Sequence, residues 1–147
     1  MKRYLVPALL LLASPLQADQ KMDIILQQGT SAYEEADYQE AMNHFTAGLI
    51  YSMRSDNPPA YPASYLCAMW YHGKGVEQDR TRARRACDAA RGNKSDYQME
   101  LFQGALEKNA TSESTRTFKK ALKDAAEALK WYLGQTSSSS DSGDGGN

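Results

Sequence analysis

Apolar residues recur at spacings of three and four between residues 23 and 133, and β-branched residues are sparse there. This spacing is typical of amphipathic α-helices and differs from the alternation of strands. Glycine, proline and polar residues interrupt the pattern and divide the chain into helical segments. Six segments are predicted, at residues 20–35, 38–54, 61–71, 79–91, 96–109 and 112–133. The pattern therefore predicts an all-α fold of three consecutive helical hairpins.

Small residues, which let two helices approach closely, occupy matching positions in the three predicted hairpins. They are Gly29, Cys67 and Ala105 in the first helices, and Ala41, Ala83 and Ala121 in the second helices. A hairpin that cannot bury its apolar face alone stacks on copies of itself. We therefore expect an α-solenoid of about three hairpins, in which the first helix of each unit lines a concave surface.

The N-terminal segment has the features of an export signal. Lys2 and Arg3 precede an apolar run at residues 4–12, and small Ala18 is followed by polar residues. The run is too short to cross a bilayer, and charges followed by an apolar stretch and a small residue are typical of a signal peptide. A buried core helix is the alternative. We expect a signal peptide at residues 1–18, a periplasmic or secreted mature chain, and no stable membrane insertion after cleavage.

The rest of the chain is predicted to be one helical domain and a tail. A chain of 147 residues is long enough for a single compact domain. The last helix has Ser112 as a candidate N-cap and Gly134 as a candidate C-cap. Residues 135–147 hold no apolar side chain, so they cannot offset the entropy cost of ordering. We expect the domain to span residues 19–134 and the tail at 135–147 to be disordered.

Charge and motifs exclude several classes of function. The chain carries 17 Lys plus Arg against 18 Asp plus Glu, whereas nucleic-acid binders have a marked positive excess. The sequence motifs of serine hydrolases, zinc proteases and phosphate-binding loops do not occur. Cys67, His72 and Cys87 match no standard spacing of zinc ligands. We predict no nucleic-acid partner, no catalytic residue, no metal site and no cofactor.

The middle hairpin resembles a Sel-1-like repeat. That family has a Leu, an aromatic residue, a Gly-x-Gly-Val turn, an Asp that opens the second helix, and spaced alanines. The matching residues here are Ala63, Leu66, Met69, Trp70, Gly73, Gly75, Val76, Asp79, Ala83, Ala86, Ala89, Ala90 and Gly92. The preceding hairpin is similar to a tetratricopeptide unit through Gly29, Tyr38, Ala41, Phe45, Gly48 and Leu49. Together the resemblance covers residues 24–93 and implies a right-handed α-solenoid that binds other proteins.

Two cysteines lie in the predicted mature chain, Cys67 and Cys87. An even number of cysteines in an exported protein permits one disulfide, and a pair of small buried thiols is the alternative. Cys67 stands where Sel-1-like repeats usually have glycine, and Cys87 lies on the alanine stripe that faces it. Some exported Sel-1-like proteins join the helices of a repeat by a disulfide, so the resemblance favours a bridge between these two residues.

Aromatic side chains supply the candidate partner-binding surface. If the repeat registers hold, the concave side carries Tyr33, Tyr61, Tyr71, His72 and Phe102. Aromatic residues offer a large contact area with few rotamers to freeze, although packing between hairpins is an equally good interpretation. The fourth helix is rich in arginine, at positions 80, 82, 84, 85 and 91. Such a run is either a solvated face or a dock for an acidic partner.

These features favour a non-catalytic scaffold or adaptor that binds another protein or an extended peptide in the periplasm. One version of this role is an immunity or inhibitor protein, as some exported Sel-1-like proteins are. The alternative is a cell-envelope enzyme or binder that acts on β-lactam or peptidoglycan-like ligands. A stable complex with a partner protein favours the first function, and unaided turnover of a β-lactam favours the second.

Overall fold

The structure, a computed structural model, describes the backbone of residues 16–140 and the side chains of residues 20–136. Within that range it contains six α-helices and no strand, as the periodicity predicts. The helices are α1 (Leu16–Glu34), α2 (Tyr38–Arg54), α3 (Ala60–His72), α4 (Arg80–Arg91), α5 (Asp96–Thr111) and α6 (Lys119–Ser140). A short 3₁₀-helix, Glu113–Phe118, joins α5 to α6. The predicted all-α class is therefore confirmed.

Side-chain caps define where three of the helices begin. Asp37 accepts a hydrogen bond from the Glu40 amide at 3.3 Å, and Asp79 accepts one from the Arg82 amide at 3.0 Å. Ser95 opens α5 by accepting a bond from the backbone of the third helical residue. Each cap satisfies a backbone donor that the first helical turn leaves unpaired. The polar residues that interrupt the apolar pattern thus set the helix starts.

The last predicted helix differs from the structure at both ends. Ser112 caps the 3₁₀-helix and not a long α-helix. Its hydroxyl accepts a hydrogen bond from the Ser114 amide at 3.3 Å. Thr115 has non-helical backbone angles, so α6 begins only at Lys119. Gly134 is not a C-cap, because α6 continues through Ser140 and includes residues predicted as disordered. Residues 141–147 lie outside the described residues.

Helix α6 connects the three hairpins by packing on at least one helix of each. The pairs α1–α2, α3–α4 and α5–α6 pack together, and α2 also packs on α3. The third hairpin contacts the second mainly through α6, which lies along α3 and reaches α1. A face of small buried residues, Ala121, Ala125 and Ala128, allows this close approach. The predicted solenoid is not confirmed, because the third hairpin packs on α3 mainly through α6 and not through α5.

The small residues of the first two hairpins lie at close helix contacts, but the third hairpin departs from that register. Gly29 and Cys67 are buried in α1 and α3. Ala105 is exposed, and its neighbour Leu106 is completely buried instead. Ala105 is therefore not a position of close approach, because α5 turns the adjacent residue toward the core.

A disulfide between Cys67 and Cys87 joins α3 to α4. The two Cα atoms are 5.3 Å apart, and both residues are fully buried. The predicted pairing is confirmed. Among residues 16–140, no helix is both long and apolar enough to cross a membrane. The predicted signal peptide lies almost entirely outside the described residues and remains a prediction.

Candidate functional site

The turn after α3 fixes the position of His72. Gly73 ends α3 with a φ of +70°, and Gly75 has a φ of +71°, a conformation that favours glycine. A Cβ on Gly75 would also lie 2.5 Å from the Cβ of Tyr38. The turn therefore packs directly on α2, which holds the end of α3 and the start of α4 in a defined arrangement.

Three oxygen atoms of α6 lie near one ring nitrogen of His72, Nε2. The Nε2 atom lies 3.3 Å from the carbonyl oxygen of Asp124, 3.9 Å from the Oδ1 of Asp124 and 3.6 Å from the Oε2 of Glu127. The two carboxylates are three residues apart, so they share one face of α6. We call His72, Asp124 and Glu127 the histidine–carboxylate cluster.

Helix α1 orients this cluster from the other side. The buried hydroxyl of Tyr33 donates a hydrogen bond to the Oδ2 of Asp124, which leaves Oδ1 directed toward His72. Burial, and then the hydrogen bond to Asp124, raises the pKa of Tyr33, so the phenol stays protonated as a donor. Glu34 accepts a bond from the Ala121 amide at 2.9 Å, which caps the first turn of α6. Both contacts hold α6 against α1.

An aromatic surface adjoins the cluster. The rings of Tyr71 and Trp131 lie 4.9 Å apart, and the guanidinium of Arg80 lies 5.5 Å and 5.9 Å from their respective centroids. These distances allow cation–π attraction to both rings. We call Tyr71, Arg80 and Trp131 the aromatic–arginine patch. Tyr71 and Trp131 of this patch line an open concavity of about 670 Å³, together with His72, Gln78, Glu127 and Lys130.

The structure separates the five predicted partner-binding residues. Tyr33 is 2% exposed, so it is a core residue and cannot contact a partner in this conformation. Tyr71 and His72 come together beside the concavity. Tyr61 and Phe102 form a separate edge-on pair, with centroids 5.1 Å apart, between α3 and α5. The predicted single row does not form, because it required α1, α3 and α5 to lie side by side.

Sequence reasoning missed Asp124, Glu127 and Trp131. The three residues lie at spacings of three and four, so a helical projection could have placed them on one face of α6. Nothing local, however, connects that face with His72, which is 52 residues away from Asp124. The order of helix packing decides this contact.

The arginines of α4 do not form a uniform basic face. The guanidinium of Arg82 lies over the ring of Trp70, at a distance of 4.7 Å from the ring centroid. Arg91 forms an ion pair with Asp96. Arg80 belongs to the aromatic–arginine patch. Aromatic and acidic groups of this chain therefore already engage three of the five arginines, which weakens the interpretation of α4 as an acidic dock.

No protein-family model matches the chain, and no curated protein or solved structure is significantly similar to it. The resemblance to Sel-1-like repeats stays a prediction.

Buried tyrosines predict a loss of stability at alkaline pH. Burial is the largest cause that raises the pKa of both Tyr33 and Tyr65 above the ordinary value of 10.0. Above about pH 10 the unfolded chain releases these two protons while the folded chain keeps them, so the free energy of unfolding must fall. We expect a slope of up to about 1.4 kcal/mol per pH unit for each tyrosine, measured by urea unfolding between about pH 9 and 11.5.

Two phenylalanine variants separate this effect from the titration of other groups. Tyr33→Phe should remove the part of the slope that Tyr33 contributes, while the other two buried tyrosines, Tyr65 and Tyr132, keep theirs. Tyr97→Phe is the matched control, since Tyr97 is 68% exposed and should leave the slope unchanged. Equal slopes in the wild type and in Tyr33→Phe would contradict the prediction.

Proposed function

We propose that the protein is an exported, non-catalytic module that binds a segment of a partner protein at the aromatic–arginine patch. The observation that carries this proposal is the contact between the tilted rings of Tyr71 and Trp131, with the guanidinium of Arg80 close to both rings. Tryptophan, tyrosine and arginine are the residue types most enriched at the energetic centres of protein interfaces. Here they form one surface at the edge of a concavity.

The patch is held in place before a partner arrives. The amide of Gln78 donates a hydrogen bond to the Tyr71 carbonyl at 2.7 Å, and the Asp79 amide bonds to the Trp70 carbonyl at 3.0 Å. These bonds tie the start of α4 to the end of α3. The mutual contacts of Tyr71, Arg80 and Trp131 restrict their rotamers, so these side chains lose little further entropy on binding, which favours affinity. Glu127 and Lys130 line the same concavity and supply opposite charges for polar contacts at its rim.

The proposal also includes export of the protein and its membership in the Sel-1-like repeat family. The disulfide supports an oxidising compartment, and the predicted signal peptide supports delivery to the periplasm or to the exterior. The positive φ angles of Gly73 and Gly75 support a Sel-1-like turn in the hairpin α3–α4. We infer that α1–α4 are two units of a short right-handed α-solenoid, with α6 covering the exposed side of the second unit.

The disulfide also bears on the enzymatic alternative. The chain contains two cysteines, and both are joined in the bridge, so an intact protein offers no thiol nucleophile. This observation supports binding over cysteine-dependent hydrolysis of a β-lactam or peptide.

Variants of the patch test the proposal on the tagged full chain, purified from its native cell envelope without reducing agent. Co-eluting proteins are quantified by mass spectrometry for the wild type, Arg80→Ala and Trp131→Ala. We expect one partner in stoichiometric amount, with at least about a tenfold loss of affinity in either variant, as for residues at the centre of an interface. Arg85→Ala is the matched control, because it removes the same charge from an exposed position of the same helix.

Circular dichroism and thermal melting of each variant establish that the fold is intact. A partner retained equally by folded Arg80→Ala and Trp131→Ala would contradict binding at the patch. Absence of any partner, together with turnover of the chromogenic β-lactam nitrocefin by the wild type, would favour the enzymatic alternative.

A further inference from the structure

The histidine–carboxylate cluster is poorly explained by hydrogen bonding alone. A neutral imidazole has one N–H group and can satisfy one acceptor, yet three oxygens face the Nε2 of His72. The nearest is 3.3 Å away and the others are 3.6 Å and 3.9 Å away, which exceeds the usual length of an N–H···O bond. The ligand atoms of the three side chains all lie within 4.8 Å of one another. One nitrogen and two carboxylates therefore converge without a short bond between them.

The spacing suits a metal ion at the centre of these atoms. Zinc binds histidine nitrogen and carboxylate oxygen at about 2.0–2.2 Å in a tetrahedron, so its ligand atoms are about 3.3–3.6 Å apart. The separation between His72 and Glu127 is already 3.6 Å, and that between His72 and Asp124 is 3.9 Å. We propose that His72, Asp124 and Glu127 bind a zinc ion, a site that goes beyond the function proposed above and borders the same concavity.

Electrostatics favours a dication at this position. The side chains of His72 and Asp124 are about one-fifth exposed and that of Glu127 is about half exposed, and the two carboxylates carry two formal negative charges. Grouping like charges in a partly desolvated place is costly unless a cation neutralises them. A zinc ion offsets both charges and accepts the imidazole nitrogen as a third ligand.

Tyr33 does not bind the proposed ion itself but orients one of its ligands through a hydrogen bond. Carboxylates that bind metals are usually fixed by a hydrogen bond to their second oxygen, which orients the first one. The Tyr33 hydroxyl donates to the Oδ2 of Asp124, while Oδ1 is directed toward His72. This contact comes from α1, so the site assembles only when all three hairpins pack together.

The donor set selects zinc over the alkaline-earth ions. Calcium requires six to eight oxygen ligands and magnesium a near-ideal octahedron of oxygens, whereas imidazole nitrogen suits zinc. Both cysteines are in the disulfide and do not compete for the ion. Three protein ligands leave a fourth position for water, as in zinc sites that are open to solvent. His72 and Glu127 also line the concavity beside the patch, so that position is accessible.

The test measures zinc affinity of the disulfide-intact full chain, purified without a polyhistidine tag and stripped of metal. Zinc chloride is titrated in competition with a chromophoric chelator, and melting temperature is recorded with and without zinc. We expect one ion per chain and a higher melting temperature with zinc. Affinity should fall about tenfold or more in Tyr33→Phe, as for other outer ligand partners, and further in His72→Gln and Asp124→Asn.

The chain supplies its own control, because it contains a second histidine. His44 pairs with Glu40 at 2.9 Å on α2, and His44→Gln should bind zinc like the wild type. The proposal is overturned if the wild type binds no zinc, if folded His72→Gln binds as tightly as the wild type, or if millimolar calcium displaces the ion. Near-UV circular dichroism establishes that His72→Gln and Asp124→Asn retain their tertiary packing.

Discussion

Replacement of both Cys67 and Cys87 with alanine is expected to lower the free energy of unfolding by about 3 kcal/mol. The disulfide closes a loop of 20 residues between α3 and α4, which restricts the unfolded chain. Its removal lets the unfolded chain regain that conformational entropy, and in a small domain this is a large share of total stability. Urea unfolding of the double variant and of the wild type measures the difference.

Helix α4 should be the element most affected. Its only buried residues are Ala83, Cys87 and Ala90, so it buries little apolar area. It packs mainly on α3, and the disulfide is the covalent link between them. Without the bridge, we expect faster amide hydrogen exchange in α4 than in α1 and α2. Arg80 would then leave Tyr71 and Trp131, so the patch would lose its cation.

Reduction of the wild type provides the control for this prediction. Wild-type protein in dithiothreitol loses the bridge but keeps both buried sulfur atoms, so it should unfold at a lower urea concentration than the oxidised protein and should account for most of the loss in the double variant. If the oxidised wild type and the double variant are equally stable, the prediction is wrong. The disulfide would then not stabilise the fold by restricting the unfolded chain. Uniform exchange in all helices would contradict the local role of the bridge in α4.

Local features of the sequence predicted the first four helices well. The segment predicted at 38–54 coincides with α2, and Asp79 caps α4 where the pattern places a helix start. Apolar spacing and capping residues act within one or two helical turns, so they can be interpreted without knowledge of the fold. The boundaries of α6 were less predictable, because a 3₁₀-helix and a glycine within the helix break the simple pattern.

The packing of the third hairpin could not be predicted in the same way. Periodicity shows which face of a helix is apolar but not which helix covers that face. In α6, Ala125 and Leu129 are completely buried and Leu122 is nearly so, which gives this helix a broad apolar surface. A helix of that kind can lie between two hairpins, and here it, and not α5, makes most of the contacts of the third hairpin with α3.

The same limit explains what was missed in the candidate site. The repeat register predicts His72 as part of a partner-binding surface, but its carboxylate neighbours come from α6, and their contact with it depends on the arrangement of the hairpins. The sequence predicts Tyr33 on a binding surface, whereas its hydroxyl orients Asp124 from within the core. A residue type indicates which chemistry is available, and the packing decides whether a partner, a metal or the core uses it.

Substitution of Phe45 with alanine is expected to destabilise the fold by about 3–5 kcal/mol. Phe45 is completely buried in α2, and its ring stacks on Tyr65 of α3 with centroids 4.6 Å apart. It also covers Gly29 of α1, so a single ring joins three helices. The loss combines the transfer energy of a large apolar side chain with the cavity that remains. Thermal and urea unfolding measure the change.

A double-mutant cycle with Gly29 tests the same contact. A Cβ on Gly29 would lie 2.6 Å from the Cε1 of Phe45, so Gly29→Ala should cost about 1–3 kcal/mol in the wild type. In Phe45→Ala the ring is gone, and Gly29→Ala should become neutral or stabilise by up to about 1 kcal/mol through helix propensity.

Gly104→Ala is the matched control for this cycle, because a Cβ at that position in α5 meets no atom within 4 Å. Gly104→Ala should stabilise the fold slightly, and by the same amount in the wild type and in Phe45→Ala, since position 104 is remote from the Phe45 ring. If Gly29→Ala costs as much without Phe45 as with it, the ring is not the reason for glycine at this position. Loss of that cost would show that Gly29 and Phe45 together set how closely α1 approaches α2.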